Sequence, residues 1–277
     1  MIPWLTDNDS FPPIGLALRS PNGLLAAGGD LSVARLLNAY RNGIFPWFNH
    51  GEPILWWSPD PRMVLIPSQF KPSRSLAKVL RNSTYEVRLN SAFEHVMRAC
   101  AAPRTKYPDT HHGTWIGEDM ITAYCALHHL GYAHSVEVWA NKELFQFNFE
   151  GQIRQQREID AGSAIFSTIS EQGSQHGFTD EIGLELVGGL YGVSIGRMFY
   201  GESMFSVVSN ASKIALAHLA RQLDRWQFGM IDCQMNTPHL STLGAREIPR
   251  SEFIARLHKL VHCSPVTNWN FDSGPFT

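Results

Sequence analysis

The sequence predicts a mixed α/β fold, and three observations carry that expectation. Strand-like alternation covers residues 134–139, 186–193 and 197–203, a long helical period covers 210–227, and a strand pattern returns at 230–235. Capped helix signals fill much of the first half. A hydrophobic fraction of 44% against 17% charged residues is that of a chain able to bury a sizeable core.

The first helix is expected to start after Ser32 as N-cap and to stop at Gly43, with Val33, Leu36, Leu37 and Tyr40 at helical spacing. An aromatic, proline-rich segment follows, from Phe45-Pro46-Trp47-Phe48 to Trp56-Trp57-Ser58-Pro59-Asp60-Pro61-Arg62. Its prolines argue against helix and for an irregular chain that displays its rings. A helix near 73–82 sets Arg74, Lys78 and Arg81 on one face and Leu76, Val79 and Leu80 on the other. Ser91-Ala92-Phe93-Glu94 reads as a capping box opening another helix, with Val96, Met97 and Cys100 inward. A further helix covers 119–130 and ends at Gly131, and after the strand at 230–235 come a brief helix opened by Thr237-Pro238 and a last one over 251–261. The Gln-, Ser- and Gly-rich stretch 145–184 interrupts two strands that would otherwise form a hairpin, and reads as an insertion.

Composition excludes several function classes. No run reaches the roughly 20 apolar residues of a membrane helix, and the start lacks a signal peptide's basic and apolar regions. Cys100, Cys125, Cys233 and Cys263 are widely spaced, which fits reduced thiols in the cytoplasm and neither a zinc site nor a disulfide framework. His111-His112 and His128-His129 lack metal-ligand spacing, so no metal is expected. Ala27-Gly28-Gly29-Asp30 and Gly188-Gly189-Leu190-Tyr191-Gly192 match neither a P-loop nor a dinucleotide fingerprint. Eight basic residues stand against two acidic ones between Lys71 and Lys106, a patch that suits either an anionic partner or ordinary solvated surface.

Three sets of residues could carry chemistry. In Met230-Ile231-Asp232-Cys233-Gln234 the strand period points Asp232 and Gln234 to one face, where they either meet solvent or build a polar site. Glu202, among Phe199, Tyr200, Met204 and Phe205, is either an edge-strand carboxylate reaching water or a site acid with a shifted pKa. Of the aromatics Tyr40, Trp47, Trp56, Trp57, Trp115 and Tyr124, Trp47 and Trp115 lie in polar chain where burial is less automatic. Rings so placed can stack nucleobases, each worth roughly 1–3 kcal/mol.

Taken together, the ordered blocks resemble the leucyl/phenylalanyl-tRNA–protein transferases. They are Pro21-Asn22-Gly23-Leu24-Leu25-Ala26-Ala27-Gly28-Gly29-Asp30-Leu31, Gly43-Ile44-Phe45-Pro46-Trp47-Phe48, Leu55-Trp56-Trp57-Ser58-Pro59-Asp60-Pro61-Arg62, Gly113-Thr114-Trp115-Ile116, His134-Ser135-Val136-Glu137-Val138-Trp139, Gly201-Glu202-Ser203-Met204-Phe205-Ser206 and Ile231-Asp232-Cys233-Gln234. The stretch 145–184 departs from the usual pattern. The resemblance implies a small N-terminal domain (1–66) and a catalytic domain (67–277) of the GCN5-related N-acyltransferase type. It implies transfer of Leu, Phe and also Met from aminoacyl-tRNA to proteins with N-terminal Arg or Lys, marking them for N-degron-dependent degradation, by a monomer without cofactor.

By position, the resemblance makes Trp47 and Trp115 the rings holding the terminal adenosine, with Tyr40 and Tyr124 nearby. Leu190, Met204, Leu216 and Ile231 become the amino-acid pocket. Asp232 and Gln234 become the catalytic pair, with Asp232 polarising or acting as base, and Glu202 their acidic companion. Arg74, Lys78 and Arg81 would meet the acceptor stem. Two other readings compete: a CoA-dependent N-acyltransferase, disfavoured because Phe205-Ser206-Val207-Val208-Ser209 lacks a Gly-rich loop, and a non-catalytic module binding tRNA ends.

Overall fold

A computed structural model describes residues 2–7, 9–81, 85–102, 115–141 and 178–272. The expectations placed on His111, His112, Gly113, Thr114 and most of 145–184 lie outside these residues. The chain opens with β1 (Trp4–Leu5) and β2 (Leu24–Gly28), then α1 (Val33–Arg41), β3 (Phe45–Pro46) and β4 (Leu55–Trp57). These strands form a four-stranded sheet in the order β1-β2-β4-β3. α1 is built as its residues predict: the Ser32 side chain accepts from the Arg35 N–H, and Gly43 closes the helix at φ +71°.

The proline-rich segment is not irregular throughout, which corrects the expectation. Pro46 sits on β3, the edge strand, where a missing N–H is tolerated, and it pairs with Trp56. Trp56 and Trp57 are accordingly buried, while Trp47, just past the strand, stays 41% exposed.

A larger sheet follows, made of β5 (Arg62–Leu65), β6 (Glu86–Leu89), β7 (Ala133–Ala140), β8 (Glu185–Ile195), β9 (Met198–Ser206), β10 (Met230–Gln234) and β11 (Arg246–Ile248). Its order is β11-β5-β10-β9-β8-β7-β6, and only β9 and β10 pair in parallel. The change of sheet falls between Trp57 and Arg62, ahead of residue 66. Helices α2 (Arg74–Arg81), α3 (Phe93–Ala101), α4 (Glu118–His129), α5 (Ala211–Arg225), α6 (Pro238–Ser241) and α7 (Arg250–Leu260) complete the fold.

Each face of the larger sheet has its own core. On one, Val187, Leu190, Phe199 and Ile231 meet Leu76, Val79 and Leu80 of α2 and the apolar stripe of α5. Gly188 admits α5 at close range: a Cβ there would lie 2.4 Å from that of Ala211. On the other, Tyr191, Val193, Met198 and Tyr200 pack with α1, α3, α4, α7 and side chains of the small sheet, among them Leu25 and Trp56. The two sheets therefore share one apolar interior.

The capping box at Ser91 is also corrected. Ala92 is the N-cap of α3 and has no side-chain cap bond. The Ser91 hydroxyl donates to Glu137 on β7 at 3.0 Å, and the Ser91 and Ala92 N–H groups point to the same carboxylate at 3.4 Å each. A fully buried strand carboxylate thus terminates the helix, and Glu94 turns outward to Arg98.

Candidate active site

Two β-bulges shape the site. Along β9, Tyr191 pairs with Ser203 but Gly192 pairs with Gly201, so Glu202 is the extra residue. The bulge resets the alternation of the strand. Before it, Tyr200 faces the core shared with the small sheet; after it, Met204 packs toward α5 and Phe205 faces back. Glu202 is left on the Tyr200 side. Along β10, Asp232 pairs with Val64 and Gln234 with Met63, leaving Cys233 as the extra residue and Gln234 at φ +59°.

Three predicted residues then meet around the carboxylate of a fourth, Glu202. Tyr40 of α1 donates to Glu202 Oε1 at 2.7 Å, Tyr124 of α4 donates to Oε2 at 3.1 Å, and Gln234 Nε2 donates to Oε1 at 3.3 Å. The two phenol oxygens also hydrogen-bond each other. Tyr200 fixes α1 from below by donating to the Tyr40 carbonyl at 2.8 Å. Burial pushes the Glu202 pKa up to about 7, against the pull of the two phenol hydrogen bonds, and the Asp232 charge raises it further. Burial first, then the Glu202 charge, holds Tyr40 and Tyr124 well above their usual range, so at neutral pH they donate rather than ionise.

The surroundings of Asp232 differ from those its sequence position suggested. It does share a face with Gln234, but it is fully buried and engaged by Arg62. Arg62 Nε reaches Oδ1 at 2.8 Å and Nη2 reaches Oδ2 at 2.7 Å, while the Gln234 N–H also donates to Oδ1 at 2.9 Å. Through the Gln234 N–H, Asp232 anchors the residue that reaches Glu202. Arg62 lies between the rings of Phe45 and Phe253, 4.8 and 4.6 Å from their centroids. No sequence signal singled it out. The clue available was that a buried aspartate on an apolar strand needs a cationic partner.

Tyr40 and Tyr124, expected near the adenosine rings, are both fully buried, so what they offer is a hydroxyl and not a stacking face. Trp47 rests against Trp57, centroids 5.5 Å apart, and its carbonyl accepts from Trp57 Nε1 at 2.6 Å, leaving the ring toward solvent. Trp115 precedes α4, partly buried against the shared core. Leu190, Leu216 and Ile231 lie on the α5 side of the sheet with Met204 half-buried over them. Arg74, Lys78 and Arg81 form an exposed face of α2. Burial pushes the Cys233 thiol up, which removes it as a thiolate nucleophile. Among the described residues no group of three His, Cys, Asp or Glu side chains is placed to hold a metal ion, and no helix is long and apolar enough to cross a membrane.

Comparison with known proteins places this geometry. Residues 64–147 and 159–258 match the family described as leucyl/phenylalanyl-tRNA protein transferase, and residues 29–60 match its N-terminal domain. The chain belongs to that family. A protein of Nitrosospira multiformis named leucyl/phenylalanyl-tRNA–protein transferase is 54% identical over 98% of both chains. One of the same name from Nitrosomonas europaea is 53% identical, covering 98% of this chain and 96% of its own. The break between the matched segments, 148–158, falls inside the stretch read as an insertion. A solved structure titled "Crystal structure of FemX" aligns over 82% of this chain and 71% of its own at 10% identity, with a TM-score of 0.39.

Proposed function

We infer that this protein transfers leucine or phenylalanine from the 3′ end of its tRNA to the α-amine of an acceptor protein. The observation that carries the inference is the Glu202 cluster, a carboxylate poised near neutrality, in a chain that matches transferases of that name along nearly its whole length.

The aminoacyl ester is already activated, so the chemistry asks for alignment and one proton transfer. The acceptor nitrogen attacks the ester carbonyl carbon; the C–N bond forms as the C–O bond to the ribose breaks. Glu202 takes the proton released by the amine and returns it to the departing ribose oxygen, so no net proton is consumed. An α-amine pKa of about 7.7–8.0 and a carboxyl pKa of about 7 lie close enough for transfer in either direction. The Gln234 amide, set by Asp232 and Arg62, holds Glu202 and leaves its carbonyl oxygen for the incoming amine. A variant in which the neighbouring ribose hydroxyl relays the proton uses the same residues.

Leu190, Met204, Leu216 and Ile231 form the donor side-chain pocket. One methylene is worth only about 1–3 kcal/mol there, so Leu, Phe and Met are all admitted. Trp47 and Trp115 hold the terminal adenosine, and Arg74, Lys78 and Arg81 meet the acceptor stem. The Glu202 charge favours acceptors that begin with Arg or Lys. The protein acts as a monomer in the cytoplasm, marking its acceptors for N-degron-dependent degradation.

Single-turnover transfer from charged tRNA to a peptide beginning with Arg tests the whole assignment. Product is expected without ATP or CoA. Acetyl transfer from acetyl-CoA with no tRNA requirement, or tight tRNA binding with no transfer, would replace it by one of the two competing readings. Trp47→Ala should weaken binding of an aminoacyl-adenosine mimic by about ten- to a hundredfold, as loss of one stacked base implies; unaltered affinity removes Trp47 from the adenosine site.

A further inference from the structure

The Tyr40 hydroxyl meets Glu202 Oε1 at 2.7 Å, the Tyr124 hydroxyl meets Oε2 at 3.1 Å, and the two hydroxyls meet each other. These three contacts hold only two hydrogens while Glu202 is ionised, since a phenol carries one and a carboxylate none. With both hydrogens turned to the carboxylate, the contact between the phenols sets lone pair against lone pair. Among the described residues no neighbour fills it. Tyr200 donates to the Tyr40 carbonyl and the Gln234 amide goes to Oε1. The buried Tyr191 hydroxyl, whose ring lies edge-on to Tyr124, has no hydrogen-bond partner. The charges that face the cluster, Asp232 and Arg62, are bound to each other. Protonation of Glu202 closes the count. Oε1–H then donates to Tyr40, Tyr40 to Tyr124 and Tyr124 to Oε2, a ring in which every group gives one hydrogen and takes one.

We propose that Tyr40 and Tyr124 are positioning residues for the proton transfer, closing this ring when Glu202 takes the acceptor's proton and opening it when the proton passes to the ribose oxygen. The proposal rests on the aminoacyl-transfer reading above and names where that site keeps the proton between its two steps. As the C–N bond forms, the amine's proton moves to Oε1, on the side where the Gln234 amide lies. The new O–H turns to Tyr40, and the Tyr40 hydrogen swings from Oε1 to Tyr124. As the C–O bond breaks, Oε1 gives its proton to the ribose oxygen and the Tyr40 hydrogen swings back. Neither phenol loses its hydrogen, and both are fully buried, so water does not compete for these contacts.

The ring reverses the usual effect of a phenol on a carboxylate. A hydrogen bond to the charged form is about twice as strong as a neutral one. On that scale, protonating the wild type exchanges about four neutral equivalents for three and also fills the empty contact. With one phenol removed it exchanges about two for one and fills nothing, and with both removed there is nothing to exchange. Loss of either phenol therefore favours the ionised carboxyl, and loss of both cancels most of that change.

The test follows the Glu202 carboxyl by NMR in the free protein, labelled at its glutamate carboxyl carbons and assigned by comparison with Glu202→Gln. Tyr40→Phe and Tyr124→Phe should each lower the midpoint of its titration by about half to one pH unit, and the double variant should return it to within about 0.3 of the wild type. The rising limb of kcat should move in step. Single variants that raise the midpoint, with the double raising it further, show two separate donors and overturn the ring. A midpoint lowered by each substitution and lowered again in the double variant shows only the entry of water, and overturns it as well. The wild type offers a check free of substitution: its exchange-protected hydroxyl protons should gain one as the pH falls through the midpoint, and a constant number overturns the ring. Midpoints that shift as expected under an unmoved kcat limb overturn its part in transfer. Because the titration needs neither tRNA nor acceptor, a failure to acylate any acceptor takes down the transfer reading and is told apart from failure of the ring.

Discussion

Glu202 is a carboxylate weakened as an acid by burial and held in place by three donors, a combination that lets it take and return a proton near pH 7. Glu202→Gln keeps the shape and removes the base, so kcat should fall by about 10²–10⁴ with little change in aminoacyl-tRNA affinity. At saturating acceptor the wild-type rate should rise with pH through about 7, as the carboxyl ionises, and the variant should lack that limb in a pH profile of kcat. Arg62 answers a different need. Arg62→Met leaves Asp232 buried and unpaired, and should cost about 3–5 kcal/mol in urea unfolding. Adding Asp232→Leu should restore most of that stability but not activity, because Gln234 still lacks the Oδ1 that fixes its N–H. A double variant as active as the wild type would remove the pair from the mechanism. Of this cluster, Asp232, Gln234 and Glu202 were legible from strand parity and from a carboxylate among apolar neighbours. Arg62 was not, because its partner lies 170 residues along the chain and no local pattern links them.

At the scale of elements, helices with local caps were readable and devices spanning the sheet were not. α1 announced itself through Ser32 and Gly43, which act on their own backbone. α3 misled: Ser91 looked like a cap, but Glu137 from β7 holds that end, and a strand residue 46 positions away leaves no mark near Ser91. Glu137→Ala should therefore lower stability by about 1–2 kcal/mol, as loss of a helix cap does, whereas Glu94→Ala, which breaks only an exposed pair with Arg98, should change it by less than about 0.5 kcal/mol. Thermal unfolding of the two variants decides between the strand cap and the capping box. β5, β6 and β11 escaped notice because three or four residues carry too little alternation to stand out. The bulges were equally silent, since the extra residue shows only when the partner strand is known. Gln234 at φ +59° makes one of them testable. Gln234→Gly relieves the backbone and should leave stability unchanged or slightly raised, while transfer drops with the amide.

The whole molecule is two sheets sharing one core, with a second core on the α5 face of the larger sheet, and its C-terminal segment packs into that second core. Trp269 lies flat on His134, centroids 3.5 Å apart, with Trp226 edge-on at 5.1 Å. Farther along, the Asp272 carboxylate accepts from the Gln222 amide at 2.9 Å. His134 is buried, its two ring nitrogens facing the Asn90 amide and the Gly131 carbonyl, and burial pushes its pKa down to about 3. A folded-state pKa below the unfolded value of about 6.5 means that the neutral ring is needed. The contribution is fully present above about pH 6.5 and is lost as pH falls toward 3. Between pH 6.5 and 4.5 that amounts to about 2–3 kcal/mol. Glu202 and Glu137 have the opposite sign: their raised pKa values make the fold relatively more stable as pH falls through the same window, so the net slope of the wild type is a mixture. A difference measurement isolates the histidine. Urea unfolding followed by tryptophan fluorescence at pH 7 and 4.5 should show His134→Gln losing about 2 kcal/mol less than the wild type over that interval. Equal losses would mean that acid acts elsewhere, with His218, also depressed by burial, the next group to change.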